Sequence, residues 1–126
     1  MMTTLFSVAL GGAIGSGLRY AIGVGLFRTF GHTGFPLGVI SVNVIGSFLM
    51  GVFIVIAAHK GLAHLNPFVA VGVLGGFTTF SSFSLETVNL VERGQLGLAG
   101  AYVMLSVFLS VGALFAGLWI ARGVFA

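Results

Sequence analysis

Charged residues are scarce in this sequence. They make up 6% of its 126 residues, whereas hydrophobic residues make up 58%, and the mean hydropathy is +1.20. An average soluble domain carries about 25% charged residues. The composition therefore excludes an ordinary soluble domain and favours a chain that crosses a membrane more than once.

Cysteine is absent altogether, which excludes disulfides, thiolate metal sites and cysteine nucleophiles. The five basic residues are scattered singly, so the charge pattern does not point to nucleic acid as a partner. His32, His59 and His64 fall between the apolar stretches and lack metal-ligand spacing, and the sequence has no Gly-rich phosphate loop or nucleophile–base pair. We therefore predict that the protein is not an enzyme.

Four apolar stretches divide the chain, and each can cross a hydrocarbon core of about 30 Å as a helix. Met1 to Gly17 carries no charge, whereas a signal peptide begins with a basic segment, so we expect the first stretch to be a retained span. The stretches predict an all-α membrane protein with a single four-helix transmembrane domain over 1–126 and spans at approximately 4–27, 36–58, 67–91 and 96–120.

Small residues recur at helical spacing, and 21 of the residues are glycine. Gly11 and Gly15 form a GxxxG pair in the first stretch, and pairs of small residues with the same spacing end at Gly51 and Gly117. Small residues allow helix backbones to approach closely in lipid. We therefore expect a tightly packed bundle, and packing within one chain is the simplest role for any single pair.

The basic residues give no preferred orientation across the membrane. With four spans, Lys60 and Arg122 fall on one side, and Arg28 and Arg93 fall on the other. Orientation normally follows an excess of Lys and Arg on the cytoplasmic side, and here the two sides are equal. Either copies insert both ways and pair as an antiparallel homodimer, or weaker cues set a single orientation.

The third stretch carries the strongest signal for a functional site, in a segment from Gly75 to Glu86 that reads GGFTTFSSFSLE. Glycine, threonine, serine and phenylalanine are mediocre or poor helix formers, so we predict a break in the helix here. Unwound backbone inside a membrane exposes carbonyl groups that can bind cations. It also presents helix N-termini that favour anions. A kinked helix that binds no ion is the alternative.

Aromatic rings and hydroxyl groups follow the predicted break. Phe80 and Phe83 share a helix face, where they either simply pack or turn their positive ring edges towards an anion. Ser81 and Ser82 add donors that could replace the water around a small anion. Glu86 lies one turn after Ser82 and is unusual on an anion path, so we expect it to be protonated, bonded to the serines or close to water.

Polar residues within the other spans also indicate a specific role, because placing a charge at the bilayer centre costs about 2.5–3.5 kcal/mol. Arg19 either snorkels out of the first span or lines an anion-attracting vestibule. Asn43 either joins two helices through its amide or offers its NH2 group to an anion. Tyr102, Ser106 and Ser110 recur every four residues on one face of the fourth span, where the serines either back-bond to the helix or line a pore.

With these motifs, the sequence resembles the CrcB/Fluc family of fluoride channels over its whole length. The resemblance is carried by GSGLR ending at Arg19, by Val42-Asn43, by the segment from Gly75 to Glu86 and by the hydroxyl stripe of the fourth span. It implies a fluoride-selective channel that exports fluoride passively and reduces its toxicity in the cytoplasm. It also implies a multi-pass protein of the bacterial inner membrane that forms dual-topology antiparallel homodimers in the lipid bilayer.

The resemblance also implies roles for individual residues. Arg19 matches the vestibule arginine of the family, and the backbone carbonyls of Gly75 and Thr78 match those that hold a structural sodium ion (Na+) at the dimer centre. Ser82 departs from many relatives, which have threonine there; the hydroxyl is kept and the methyl group is lost. The implied pore residues are Asn43, Phe80, Phe83, Ser81, Ser82, Glu86, Tyr102, Ser106 and Ser110.

Two other functions are compatible with a small four-span protein. A small multidrug exporter would carry an acid in the first span, where this chain has Arg19, and its only intramembrane acid is Glu86 in the third. A non-transporting helper subunit would lack the polar path that Asn43, Ser81 and Ser106 indicate. Both fit these residues less well than a channel does.

Overall fold

The computed structural model describes residues 1–31 and 34–125, so the predicted surface position of His32 lies outside the described residues. Within these ranges the chain is helical and contains no strand. Four stretches are long and apolar enough to cross a membrane, which confirms the prediction of an all-α protein with four membrane-capable helices. They are Met2–Phe30, Leu37–Lys60, Ala63–Glu92 and Leu96–Phe125.

The third stretch is divided, whereas each of the others is one continuous helix. In chain order the elements are α1 (Met2–Phe30), α2 (Leu37–Lys60), a 3-10 turn (Ala63–Leu65), a π-helical segment (Pro67–Leu74), α3 (Gly75–Phe77), α4 (Phe80–Glu92) and α5 (Leu96–Phe125).

Helical geometry is lost at Thr78 and Thr79, which we call the break. Thr78 has φ −82° and ψ 161°, and Thr79 has φ −153° and ψ 123°, so both are extended. The helix restarts at once, because the Thr79 hydroxyl accepts a hydrogen bond of 3.1 Å from the N–H of Ser82 and so caps α4. The predicted break in the third helix is confirmed.

The π-helical segment ahead of the break was not predicted from the sequence. At its end the N–H of Gly75 donates to the carbonyl of Ala70, five residues earlier. Such wide turns are rare and often accompany functional sites. The segment is apolar throughout, so its side chains give no signal that separates it from an ordinary buried helix.

Glycines allow α1 to contact the π-helical segment and α3 along their backbones. A Cβ added at Gly15 would collide with the carbonyl oxygen of Val73, and one added at Gly76 would lie 2.7 Å from the carbonyl oxygen of Gly12. Real Cβ atoms do not approach so closely, so side chains are excluded here. We call this line of contact the glycine seam; it comprises Gly11, Gly12, Gly15, Gly72 and Gly76, of which Gly12 contributes only its backbone, since a Cβ added there would meet nothing within 4 Å.

The most extensive helix pair is formed by α2 and α5. A Cβ at Gly51 would collide with the backbone of Leu114, and one at Gly117 would collide with the backbone of Phe48. The small-residue pairs of the sequence thus contribute to packing within one chain, which confirms the expected tight bundle.

The basic residues lie at the two ends of the bundle in the arrangement counted from the sequence. The Lys60 ammonium nitrogen is 5.8 Å from the centroid of the Phe125 ring, so the ends of α2 and α5 meet. Arg93 lines a cavity together with residues of the α1–α2 loop, so it lies at the opposite end. Each end of the described structure therefore carries two basic side chains, Lys60 and Arg122 at one end and Arg28 and Arg93 at the other.

Candidate functional site

A groove lies beside the break, between α2, α4 and α5; its wall is mostly apolar and carries the amide of Asn43 and several hydroxyl groups. It has a volume of about 340 Å³, and no charged side chain of the described residues lines it. Both residues of the break, Thr78 and Thr79, contribute to its wall. We call this cavity the break groove. It brings together these predicted pore residues: Asn43, Phe80, Phe83, Ser106 and Ser110.

Asn43 holds the break from the side of α2. Its Oδ1 accepts a hydrogen bond of 2.7 Å from the N–H of Thr79, and its Nδ2 donates one of 3.0 Å to the carbonyl of the same residue. One side chain thus binds both backbone groups of Thr79, within the break. The Asn43 NH2 group has two N–H donors, so the second one is available on the groove wall. The helix-joining contact is observed, and the role towards an anion stays a prediction.

The N-terminus of α4 opens at the same place. Phe80 is the first residue of α4 and lines the break groove, and the first N–H groups of a helix carry partial positive charge that favours anions. Thr79, which sets this position as the N-cap, was not among the predicted site residues. A threonine just before a helical stretch is the signal that could have identified it.

Aromatic rings extend from the break groove to the α1–α2 loop. The centroids of Phe80 and Phe83 are 5.5 Å apart, those of Phe83 and Tyr102 are 5.3 Å apart, and those of Tyr102 and Phe35 are 5.5 Å apart. Phe80 is 78% exposed, whereas Tyr102 is fully buried. Phe35 was not predicted because loop residues show no periodicity that would assign them to a face.

The hydroxyl stripe of α5 points inward and lacks partners. The oxygens of Tyr102, Ser106 and Ser110 are buried and have no hydrogen-bond partner among the described residues. This excludes back-bonding of the two serines to the helix in this structure. An unsatisfied buried polar group costs about 1–3 kcal/mol, so the stripe favours a polar ligand or water in the break groove.

The other predicted pore residues lie around this groove rather than on its wall. Ser81 is exposed, with its hydroxyl 3.4 Å from that of Thr79, and Ser82 is half-buried. Glu86 lines a second cavity of about 280 Å³, together with Phe35 and Arg93, towards the end of the bundle. Of the three environments expected for Glu86, the one near the aqueous end agrees best with this position.

Arg19 contacts the third stretch just ahead of the break. It is half-buried, and its Nε donates a hydrogen bond of 3.1 Å to the carbonyl of Gly76. Arg19 lies about 16 Å along the helix axis from the end of α1 at Phe30. Its side chain therefore turns towards the backbone of the third stretch rather than snorkelling to the helix end.

Two carbonyl groups at the break lose their helical donors. In an unbroken helix the Gly75 carbonyl would accept from the N–H of Thr79, which donates to Asn43 instead. The Thr78 carbonyl would accept from the N–H of Ser82, which donates to the Thr79 hydroxyl instead. These carbonyls are the pair that the family resemblance links to sodium, and their release is compatible with binding a cation.

The chain matches known proteins over nearly its whole length. A family model described as "CrcB-like protein, Camphor Resistance (CrcB)" matches residues 6–118. A protein of Ruegeria sp. (strain TM1040) named "Fluoride-specific ion channel FluC" is 62% identical over 124 residues, which are 98% of each chain. Proteins with the same name from Roseobacter denitrificans and Cereibacter sphaeroides (strain ATCC 17029 / ATH 2.4.9) are 62% and 57% identical, over 98% of this chain and 99% and 98% of theirs.

These relatives are named as ion channels, which agrees with the prediction that the protein is not an enzyme. Together with the four apolar helices, they indicate a multi-pass membrane protein. The family model covers most of the chain and the relatives cover nearly all of it, so the resemblance found in the sequence is confirmed and the chain belongs to the CrcB family.

Proposed function

We propose that this protein is a fluoride-selective ion channel through which fluoride leaves the bacterial cell passively, which reduces fluoride toxicity. The observation that carries the proposal is the break groove, in which buried hydroxyls without partners, an asparagine amide and a helix N-terminus meet. The relatives named as fluoride-specific channels support the choice of ion.

The groove can replace the hydration shell of a small anion, because several hydrogen-bond donors lie close together in it. The second N–H of Asn43 and the hydroxyls of Ser106 and Ser110 supply donors, and the edges of Phe80 and Phe83 supply positive potential. None of these groups carries a full charge, so the anion is held weakly enough to leave again, as conduction requires.

We propose that the remaining predicted residues extend this path. Ser81 and Ser82 lie beside the N-terminus of α4. Tyr102 lies behind the groove, where its ring contacts Phe83, and Glu86 lines the second cavity beyond it. A fluoride ion would thus pass between the break groove and the end of the bundle along rings and hydroxyls.

An antiparallel homodimer with dual topology in the inner membrane is a further part of the proposal. The equal basic charges at the two ends of the bundle support it, because they favour neither orientation. The groove is also open to the surface of the subunit at Phe80, Val107 and Val111, so a second copy could close it. Reporter fusions at the C-terminus should give signals from both sides of the membrane, and a signal from one side alone would contradict dual topology.

We also propose that Na+ binds at the carbonyls of Gly75 and Thr78. The support is that both carbonyls lack their helical donors. Two oxygens cover only part of an ion, so the second copy would supply another pair. Replacing sodium with a large organic cation should lower the unfolding temperature of the purified protein in detergent. An unchanged unfolding temperature would contradict a structural sodium ion.

Fluoride efflux from liposomes that contain the purified protein tests the function. We expect fast, electrogenic fluoride release and negligible chloride release. Proton-coupled efflux of cationic drugs with fluoride retained would favour an exporter, and the absence of any transport would favour a helper subunit. Asn43→Asp and Phe80→Ile should each reduce the fluoride flux sharply, and wild-type flux in both variants would contradict the assigned pore.

A further inference from the structure

We propose that Arg19 is a positioning residue that maintains the break by occupying the backbone carbonyl of Gly76. The inference rests on the proposed channel function where it is tested by fluoride flux. Where it is tested by thermal unfolding, it does not depend on transport. It differs from the vestibule role implied by the family resemblance, in which the positive charge of Arg19 attracts anions.

The glycine seam brings Arg19 to this carbonyl. Gly15 and Arg19 are one helical turn apart and lie on one face of α1. Because no side chain separates Gly15 and Gly76 from the facing backbones, α1 approaches the third stretch closely enough for Nε of Arg19 to reach the Gly76 oxygen at 3.1 Å. A charge inside a membrane is tolerated when it pairs with such a carbonyl.

The Gly76 carbonyl has a specific place in the break. In an unbroken helix it would accept from the N–H of Phe80, which is the first residue of α4 and lines the break groove. Arg19 supplies a donor to this carbonyl, so it does not need the N–H of Phe80. The Phe80 N–H then stays at the helix N-terminus, where it can face an anion.

Arg19 and Asn43 thus hold the break from two different helices. Arg19 reaches from α1 to the Gly76 carbonyl, and Asn43 reaches from α2 to both backbone groups of Thr79. Backbone groups at membrane depth need such partners. Without Arg19, the Gly76 carbonyl would lack a donor. Accepting from the N–H of Phe80 would then become more favourable, and the helix would close across the break.

The two roles of Arg19 can be separated by side-chain geometry. Glutamine places its amide nitrogen the same number of bonds from the backbone as Nε of arginine, so Arg19→Gln keeps a donor at this position and removes the charge. Lysine places a methylene group there and carries its charge one bond further out, so Arg19→Lys keeps the charge and moves the donor. Arg19→Met removes both and serves as the reference.

The experiment compares these three variants with the wild type in fluoride flux from liposomes and in thermal unfolding in detergent. We expect Arg19→Met to lower the maximal flux by about tenfold or more, because a partly buried carbonyl at the break loses a charged donor. Arg19→Gln should recover the larger part of both the flux and the unfolding temperature, and Arg19→Lys should stay closer to Arg19→Met. The flux ratios between variants should depend little on ionic strength, because a partly buried hydrogen bond is screened much less than an exposed charge.

The opposite pattern would overturn the inference. If Arg19→Lys retains the flux, Arg19→Gln matches Arg19→Met, and the difference shrinks as salt is added, then Arg19 acts by attracting anions. If the wild type itself conducts no fluoride, the proposed function fails, and the unfolding temperatures still decide this inference. A higher unfolding temperature for Arg19→Gln than for Arg19→Met supports the inference. Equal unfolding temperatures of the two variants, or failure of Arg19→Gln to fold, contradict it.

Discussion

The two halves of the third apolar stretch follow one another along the chain but make different kinds of contact. The half before the break, Pro67–Leu74 with α3, carries no polar side chain and meets α1 along the glycine seam. The half after it, α4, begins with a threonine cap, carries three serines and borders the break groove. Two extended residues are all that separates them.

The difference indicates that residue size limits packing before the break, whereas hydrogen-bond donors limit binding after it. Along the glycine seam the backbones touch, so a side chain at Gly11, Gly15, Gly72 or Gly76 would force the helices apart. Around the break groove the helices leave a cavity of about 340 Å³ between them, so the number and direction of hydrogen-bond donors on its wall decide what can bind there. In the first half, substitutions that add a side chain should therefore lower stability. In the second half, substitutions that remove hydrogen-bond donors should lower fluoride flux.

The largest effect should follow from adding one carbon atom to the seam. In Gly15→Ala the new Cβ collides with the carbonyl of Val73, and we expect a loss of ~1–3 kcal/mol or more in the free energy of unfolding. Gly17→Ala is the matched control, because a Cβ there meets nothing within 4 Å. Thermal unfolding and size-exclusion profiles in detergent measure both; equal stability of the two variants would contradict the size limit.

Asn43→Asp changes donors at nearly constant size. The carboxylate can still accept from the N–H of Thr79, but it cannot donate to the Thr79 carbonyl and it repels an anion. We expect fluoride flux to fall by about tenfold or more, since the partly buried carbonyl of Thr79 loses its donor. The fluoride electrode assay measures this, with the helical circular dichroism spectrum as the control for folding. Wild-type flux would show that the amide is not part of the path.

Thr79→Ala removes the cap of α4. We expect the free energy of unfolding to fall by about 1 kcal/mol, because the N–H of Ser82 loses its acceptor. Thr79→Ser keeps the hydroxyl and should stay close to the wild type, apart from the lost methyl group. Denaturation curves of the three proteins measure the difference, and an equal loss in both variants would assign the effect to the methyl group instead.

Ser106→Ala should have the smallest effect on stability. Its hydroxyl is buried and has no partner among the described residues, so its removal should change the free energy of unfolding by less than about 0.5 kcal/mol or raise it slightly. Fluoride flux should nevertheless fall, because the groove loses a donor. A clear drop in unfolding temperature with unchanged flux would show that the hydroxyl serves packing rather than the ion.

The sequence predicted those parts of the fold that have local causes. Apolar length predicted four helices, and the poor helix formers between Gly75 and Thr79 predicted the break within the third. Small residues at helical spacing predicted close packing, since Gly15 and Gly51 have no side chain to hold helices apart. These features depend on neighbours within a few residues.

Features that depend on distant partners were not predictable in the same way. Arg19 was expected at a vestibule or at the helix end, because its acceptor, the Gly76 carbonyl, is 57 residues away in the chain. The two-sided contact between Asn43 and Thr79 is also non-local. The π-helical segment was missed because its apolar run gives no side-chain signal, and Phe35 was missed because it belongs to a loop.

The most direct test of the central claim, that the break groove conducts fluoride, is the reversal potential of the purified protein in a planar bilayer. With opposing gradients of fluoride and chloride, we predict a current that reverses at the equilibrium potential of fluoride and does not shift when the chloride gradient is changed. A reversal potential that follows chloride or protons, or a membrane that carries no current at all, would contradict the account.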